Sequence, residues 1–153
     1  MTTVKKKTAV QFKTFSPKQG DIKPEWLLVD VKGKILGRVA NKIADLLRGK
    51  GKTNFSKHLE CGDFIVVINA AEVKLTGKKD SQKEYHKHSR YPGGLKTTTP
   101  DKLRQENPAM IIEHAVAGMI PNNKLKKQVM KRLKVYVGAE HQHLAQNPKI
   151  INL

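Results

Sequence analysis

Two apolar segments, the near-continuous residues 26–31 and the continuous residues 64–68, constrain the fold more than any other feature of this chain. Continuous runs of large apolar residues are typical of strands that are buried on both faces of a sheet. Between the two runs, apolar residues recur at helical spacing from Leu36 to Leu47, and Gly49 ends that pattern as glycine does at helix C-termini. This order of strand, helix and strand predicts a βαβ unit with parallel strands and a right-handed crossover.

Prolines and glycines divide the rest of the chain. Residues 83–88 alternate loosely and predict a strand or an extended arm, and the Tyr-Pro-Gly-Gly of residues 91–94 predicts a turn. Thr99 and Pro100 are typical of a helix start, and Pro108 interrupts that helix.

The charge balance indicates a polyanionic partner. The 153 residues include 30 Lys and Arg against 13 Asp and Glu, a formal net charge of +17. Such a charge repels itself in a compact monomer and favours nucleic acid. A membrane surface fits less well, because aromatic residues make up only 5% of the chain and no apolar run approaches the roughly 18 residues of a membrane span. The single cysteine, Cys61, excludes an internal disulfide framework.

The length predicts one domain, and the composition of the two ends predicts an extension on each side of it. Residues 1–23 spread lysines among polar residues with little periodicity, which predicts a basic arm that is disordered when free. Residues 24–140 form the predicted α/β domain. Residues 141–153 show little period and are interpreted as a tail that orders on binding.

The most basic segment lies between Gly118 and Gly138. Asn122 and Asn123 are good N-cap residues for a helix that begins near Lys124, and a short β-type run over 135–137 follows it. The apolar positions of the predicted helix fall on one side, and its lysines fall on the other: Leu125, Val129 and Leu133 against Lys124, Lys127, Lys131 and Lys134. A solvated face is the plain alternative. Like charges at i,i+4 repel each other, however. A helix face that carries only positive charges therefore favours a polyanionic partner that supplies the counter-charge.

Enzyme and metal motifs are weak in this chain. Gly51-Lys52-Thr53 resembles the end of a phosphate-binding loop, but Leu46 stands where that loop needs glycine. No nucleophile has a recognisable base in its sequence context, and no dinucleotide-binding glycine pattern follows either strand. Two His-x-His pairs, at 86–88 and 141–143, invite a zinc site with Cys61 and His58, yet structural zinc sites usually bring paired cysteines. Contacts of His86 and His88 with phosphates or bases, or a plain surface role, are the better interpretations.

Short motifs along the chain resemble those of a known family, the bacterial-type thirteenth protein of the large ribosomal subunit. The resemblance covers residues 26–148. The motifs are Gly33-Lys34-x-Leu36-Gly37-Arg38, Leu47-Arg48-Gly49-Lys50, Gly62-Asp63 with the strand to Asn69-Ala70, Leu75-Thr76-Gly77-Lys78-Lys79, His88-Ser89-x-Tyr91-Pro92-Gly93-Gly94, Gly118-Met119-Ile120-Pro121, Leu133-Lys134-Val135-Tyr136-x-Gly138 and Glu140-His141-x-His143. The chain departs from the family at Lys126 and Lys127, where a glycine is frequent, and at Gln142, where proline is usual.

The resemblance implies a three-layer α/β/α domain on a four-stranded, mostly parallel sheet. It also implies a structural, non-enzymatic role without a cofactor or metal, in the ribosome of the cytoplasm. Such proteins bind large-subunit rRNA early in assembly and lie among neighbouring ribosomal proteins, and some bind their own messenger leader. A messenger-binding repressor is therefore the alternative hypothesis; a nucleotide-dependent enzyme is the alternative from another class.

Fourteen residues are the predicted RNA contacts, through phosphate neutralisation and shape. They are Arg38, Arg48, Lys50, Lys52, Lys78, Lys79, His86, His88, Arg90, Lys124, Lys127, Lys131, Arg132 and Lys134.

Overall fold

A four-stranded parallel sheet organises the computed structural model, which describes residues 16–153. The strands are β1 (Trp26–Asp30), β2 (Phe64–Ile68), β5 (Leu133–Val135) and β6 (Lys149–Ile151), in the order β5-β2-β1-β6, and all three pairings are parallel. The other elements are α1 (Leu36–Arg48), α2 (Lys79–Gln82), β3 (Tyr85–His88), β4 (Leu95–Thr98), α3 (Pro100–Glu106), α4 (Ala109–Met119), α5 (Lys126–Lys131) and two short 3-10 turns, Gln19–Asp21 and Ala70–Glu72. The α/β class and the four-stranded sheet of the sequence prediction are confirmed.

The predicted βαβ unit is present, with boundaries within one residue of those expected. β1 and β2 pair in parallel from Trp26 with Phe64 to Asp30 with Ile68, and α1 connects them. Gly49 ends α1 at φ +71°, and a Cβ atom there would lie 2.5 Å from the carbonyl oxygen of Cys61. Glycine is therefore required at this position for two reasons: the left-handed backbone conformation and the close approach of the returning chain.

The core lies between one face of the sheet and helices α1 and α4. Val29, Ile65 and Val67 of the sheet belong to one buried cluster with Ile43 of α1 and Ile111 of α4. Each fully buried side chain of this kind stabilises the fold by roughly 1.5–3 kcal/mol relative to an exposed one. On the opposite face, Trp26 and Phe64 stack with ring centroids 4.6 Å apart, and the ring of His143 lies 4.9 Å from Trp26.

The segment 141–153, interpreted as a tail that orders on binding, contains a short strand that the sequence did not predict. Residues 149–151 form β6, which pairs with β1 at an edge of the sheet, and His143 packs on Trp26. A three-residue strand is too short to show a periodicity in sequence, which is why it was missed. Most of the predicted basic arm, residues 1–15, lies outside the described residues; residues 16–23 contain the first 3-10 turn.

The basic helix after Asn123 is shorter than predicted. α5 covers only Lys126–Lys131, and the Asn123 side chain accepts a hydrogen bond from the backbone N–H of Lys126 at 3.0 Å. Leu133 and Lys134 lie in β5, where Leu133 pairs with Ile65 of β2. The strand predicted over 135–137 thus begins two residues earlier, because pairing along β2 takes precedence over continuing the helix.

Candidate nucleic-acid interface

One exposed basic element is a hairpin that is separate from the main sheet. Within residues 16–153 its strands β3 and β4 pair only with each other, in antiparallel register from Tyr85 with Thr98 to His88 with Leu95. Lys87 faces Lys96 directly across the two strands, and both are exposed. Like charges at directly opposed positions destabilise a hairpin. An anionic partner would remove this repulsion.

The tip of the hairpin is held in one conformation by hydrogen bonds. The N–H of Ser89 donates to the carbonyl of Gly94 at 3.1 Å, and the N–H of Arg90 donates to Nδ1 of His88 at 2.9 Å. Arg90 has φ +70°, a left-handed conformation that is uncommon for residues other than glycine. The neighbouring Tyr91 is 75% exposed. The tip therefore presents a guanidinium and an aromatic ring to solvent without further folding.

The base of the hairpin is anchored to the helical layer. The half-buried Tyr85 ring lies 5.6 Å from the ring of His114 on α4, and the Lys83 ammonium sits 4.9 Å from the Tyr85 centroid. Burial raises the pKa of the Tyr85 hydroxyl, so it stays protonated at neutral pH. Below the hairpin, Arg104 of α3 bonds to Asp80 of α2 at 3.0 Å, next to the exposed Lys78 and Lys79.

A second basic surface surrounds α5, which we call the α5 surface. Lys124, Lys127, Lys131 and Lys134 are all exposed, and none forms an ion pair with a carboxylate of residues 16–153. Arg48, at the end of α1, lines a small cleft of about 40 Å³ together with Lys57, Asn123 and Leu125. The fold thus brings the end of α1 close to the start of the α5 surface. No local sequence pattern predicts this proximity.

Three of the lysines and arginines among the predicted RNA contacts already have carboxylate partners. Lys52 pairs with Asp63, which is only 5% exposed. Arg132 bonds to Glu60 at 2.9 Å and also donates to the carbonyl oxygen of Gly62 at 2.5 Å. Lys50 lies 3.4 Å from Asp45 at the surface. These ion pairs give Lys52 and Arg132 a structural role, and their contact with RNA stays a prediction.

Arg38 lies apart from both basic surfaces. It is exposed near the start of α1 and lines a cleft of about 600 Å³ with Gly33, Lys34, Lys42 and Leu153. His86 and His88 lie on one side of β3, where His86 bonds to Thr97 at 3.1 Å and lies 3.7 Å from Glu84. Within residues 16–153, no group of three or more His, Cys, Asp or Glu is arranged to hold a metal ion.

Sequence reasoning did not include Lys87, Lys96 or Tyr91 among the predicted contacts. The turn at residues 91–94 was recognised, but Leu95–Thr98 was not assigned as its returning strand. A turn between two short runs, one of them rich in threonine, is the signal that predicts a hairpin and places Lys96 opposite Lys87.

Exposed cations clustered on a projecting hairpin and along one helix are typical of proteins that associate with nucleic acid. The family model for ribosomal protein L13 matches residues 24–142. The large ribosomal subunit protein uL13 of Lawsonia intracellularis is 52% identical over 141 residues, which cover 92% of this chain and 98% of the relative. The protein of the same name from Maridesulfovibrio salexigens is 50% identical over 139 residues, 91% of this chain and 98% of the relative.

The chain therefore belongs to the ribosomal protein L13 family, as the motif resemblance predicted. A third relative, uL13 of Chlorobium phaeobacteroides, is 51% identical over 140 residues, with 92% of this chain and 94% of the relative covered. Membership makes the chain a structural ribosomal protein and not an enzyme. None of the helices found in residues 16–153 has the length and apolarity to cross a bilayer.

Proposed function

We propose that this chain binds large-subunit rRNA as a structural constituent of the large ribosomal subunit and supports early subunit assembly. Its relatives are named as large-subunit proteins, which supports a site of action in the ribosome of the cytoplasm, among neighbouring ribosomal proteins. The observation that carries the rRNA contact is the hairpin β3–β4, whose facing lysines Lys87 and Lys96 have no ion-pair partner among residues 16–153.

The proposed rRNA contact is made by two surfaces of the protein. The hairpin offers Lys87, Arg90 and Lys96 for phosphates and Tyr91 for stacking on an unpaired base. The α5 surface adds Lys124, Lys127, Lys131 and Lys134, with Arg48 beside it. Lys78 and Lys79 lie in the segment that leads into the hairpin. Lys50, Lys52 and Arg132 are already ion-paired with carboxylates. They contact RNA only where these ion pairs leave the cation accessible.

Salt dependence tests the phosphate contacts. If roughly six to eight phosphates are neutralised, log K for an rRNA fragment falls against log salt with a slope of about −4 to −7. Removing two contacts with Lys87→Gln and Lys96→Gln should make that slope shallower by about 1.5 to 2. A slope near zero for the parent protein contradicts phosphate-driven binding.

A matched control separates local contacts from net charge. Lys32→Gln with Lys102→Gln removes the same two charges, but these lysines already lie 3.5 Å from Glu72 and 3.9 Å from Glu106. The control should leave the salt slope within about 0.5 of the parent value. Equal effects of both double variants mean that only the overall charge matters and that the hairpin is not the contact.

Binding to the chain's own messenger leader would use the same cationic surfaces. Protection of a defined leader RNA by the free protein, at an affinity equal to that for rRNA, favours this alternative. We expect rRNA to be bound more tightly.

A further inference from the structure

A groove runs between α1 and the edge strand β6 and remains open in the described residues. It consists of two adjoining clefts of about 600 and 510 Å³ that share Lys42 and Leu153. We propose that this groove receives an acidic amphipathic helix of a second protein, a neighbouring component of the ribosomal particle. The inference goes beyond the proposed rRNA contact, since it concerns a different surface and a different class of partner.

The floor of the groove is apolar and lies where a further helix would pack. Among the elements of residues 16–153, β6 packs mainly against β1, so the sheet next to α1 has no helix above its last strand. Leu46, Ile151 and Leu153 line the groove and are only half-buried. In parallel α/β sheets helices normally cover such positions, because a strand edge with apolar side chains gains stability from burial.

The charges of the groove match a helix with acidic residues near one end. Lys34, Arg38 and Lys42 follow one another along the α1 side, and none is ion-paired with a carboxylate of the described chain. At the far end Asp45 already pairs with Lys50 at 3.4 Å. Carboxylates of the partner would therefore face the start of α1, and its apolar side would face Leu46 and Ile151.

RNA and the chain's own N-terminal residues fit this groove less well. A phosphate backbone has no apolar surface for Leu46, Ile151 and Leu153, and at the far end it would pass the Asp45 carboxylate. Residues 1–15 contain four lysines and no acidic residue, so the cations of the groove repel them. Under this proposal Arg38 contacts a protein carboxylate instead of an rRNA phosphate.

Site-specific photocrosslinking in the assembled particle tests the proposal. A photoreactive amino acid replaces the exposed Asn41, which lines the groove, and a second variant carries it at Thr97 on the hairpin as a control. After incorporation into large subunits and irradiation, mass spectrometry identifies the crosslinked species. We expect Asn41 to crosslink to a protein segment with carboxylates and apolar residues at helical spacing, and Thr97 to crosslink to rRNA.

The proposal is contradicted if position 41 crosslinks to rRNA, to a second copy of this chain or to a protein segment without acidic residues. It is also contradicted if position 41 gives no crosslink while position 97 reacts. Arg38→Glu with Lys42→Glu should lower the protein crosslink by about tenfold without lowering the melting temperature, because both side chains are exposed. An unchanged yield also contradicts the charge match. Failure of both photoreactive variants, at positions 41 and 97, to enter large subunits counts against the proposed function instead, because the two positions lie on different surfaces and only position 41 is in the groove.

Discussion

At the scale of single residues, polar side chains at the ends of the strands join elements that are far apart in sequence. Asp30 follows the buried part of β1, and Asn69 directly follows β2 in a left-handed conformation with φ +61°. The Asn69 side-chain amide donates to Asp30 Oδ1 at 2.8 Å, and the N–H of Lys32 donates to the same oxygen at 2.9 Å. These hydrogen bonds, with the nearby charges of Lys34 and Lys32, hold the pKa of Asp30 below 3.8.

This pKa predicts a pH-dependent contribution to stability. A carboxyl with a lowered folded-state pKa stabilises the protein above its unfolded-state value of 3.8, and this stabilisation is lost as the pH falls through the folded-state pKa. Asp30→Asn should therefore be less stable than the parent at pH 7, and the difference should shrink below about pH 4. Urea unfolding of both proteins across this range measures it. A difference that grows on acidification contradicts the assignment.

Arg132 and Lys131 are neighbours with opposite expected behaviour. The Arg132 side chain is only 15% exposed, and its loss leaves the Glu60 carboxylate without its partner. Arg132→Gln should lower the free energy of unfolding by about 3 kcal/mol, whereas Lys131→Gln should change it by less than about 0.5 kcal/mol. Chemical denaturation of the two single variants checks this. Equal and small effects would mean that the Arg132–Glu60 ion pair contributes nothing.

At the scale of elements, long regular patterns were predictable and short ones were not. The βαβ unit follows from two apolar runs and a thirteen-residue helix, whose buried positions repeat many times. β5 and β6 have three residues each, and their positions are determined by pairing with strands that are far away in sequence. The same holds for the candidate site: exposed lysines were predictable as a class, but ion pairs such as Lys52 with Asp63 arise only from the tertiary fold.

The apolar side of α5 should be required for folding. Val129 is 7% exposed and packs in the core cluster. Val129→Asp would bury a charge without a partner and should cost several kcal/mol of a total stability of roughly 5–15 kcal/mol. Thermal unfolding of the free protein should show a loss of much of the melting temperature or no folded state. A near-parent melting temperature would mean that α5 is not packed as described.

The lysines of α5 should matter for RNA binding and not for folding. Lys127→Gln with Lys131→Gln removes two exposed like charges at i,i+4, so the melting temperature should stay unchanged or rise slightly. The same double variant should weaken rRNA binding and make the salt slope shallower by about 1.5 to 2. If binding is unchanged at both low and moderate salt, α5 is only a solvated face, and the contact rests on the hairpin.

At the scale of the whole molecule, the protein has far more positive charge than it neutralises internally. Seven of its 13 carboxylates form ion pairs with Lys or Arg within residues 16–153, while the whole chain carries 30 Lys and Arg. Among residues 16–153, most of the cations without a carboxylate partner lie on the hairpin, the α5 surface and the groove beside α1. A net charge of +17 is explained when a polyanion surrounds much of the domain.

Co-sedimentation with ribosomal particles tests this account most directly. Cell extract is separated on a density gradient after a wash at moderate salt, and the protein is quantified in each fraction together with a weakly bound peripheral factor as a control. The account predicts that the chain remains in the large-subunit fraction, in proportion to large-subunit rRNA, while the control is released. Recovery of the chain in the soluble fraction, with intact large subunits lacking it, would contradict the central claim.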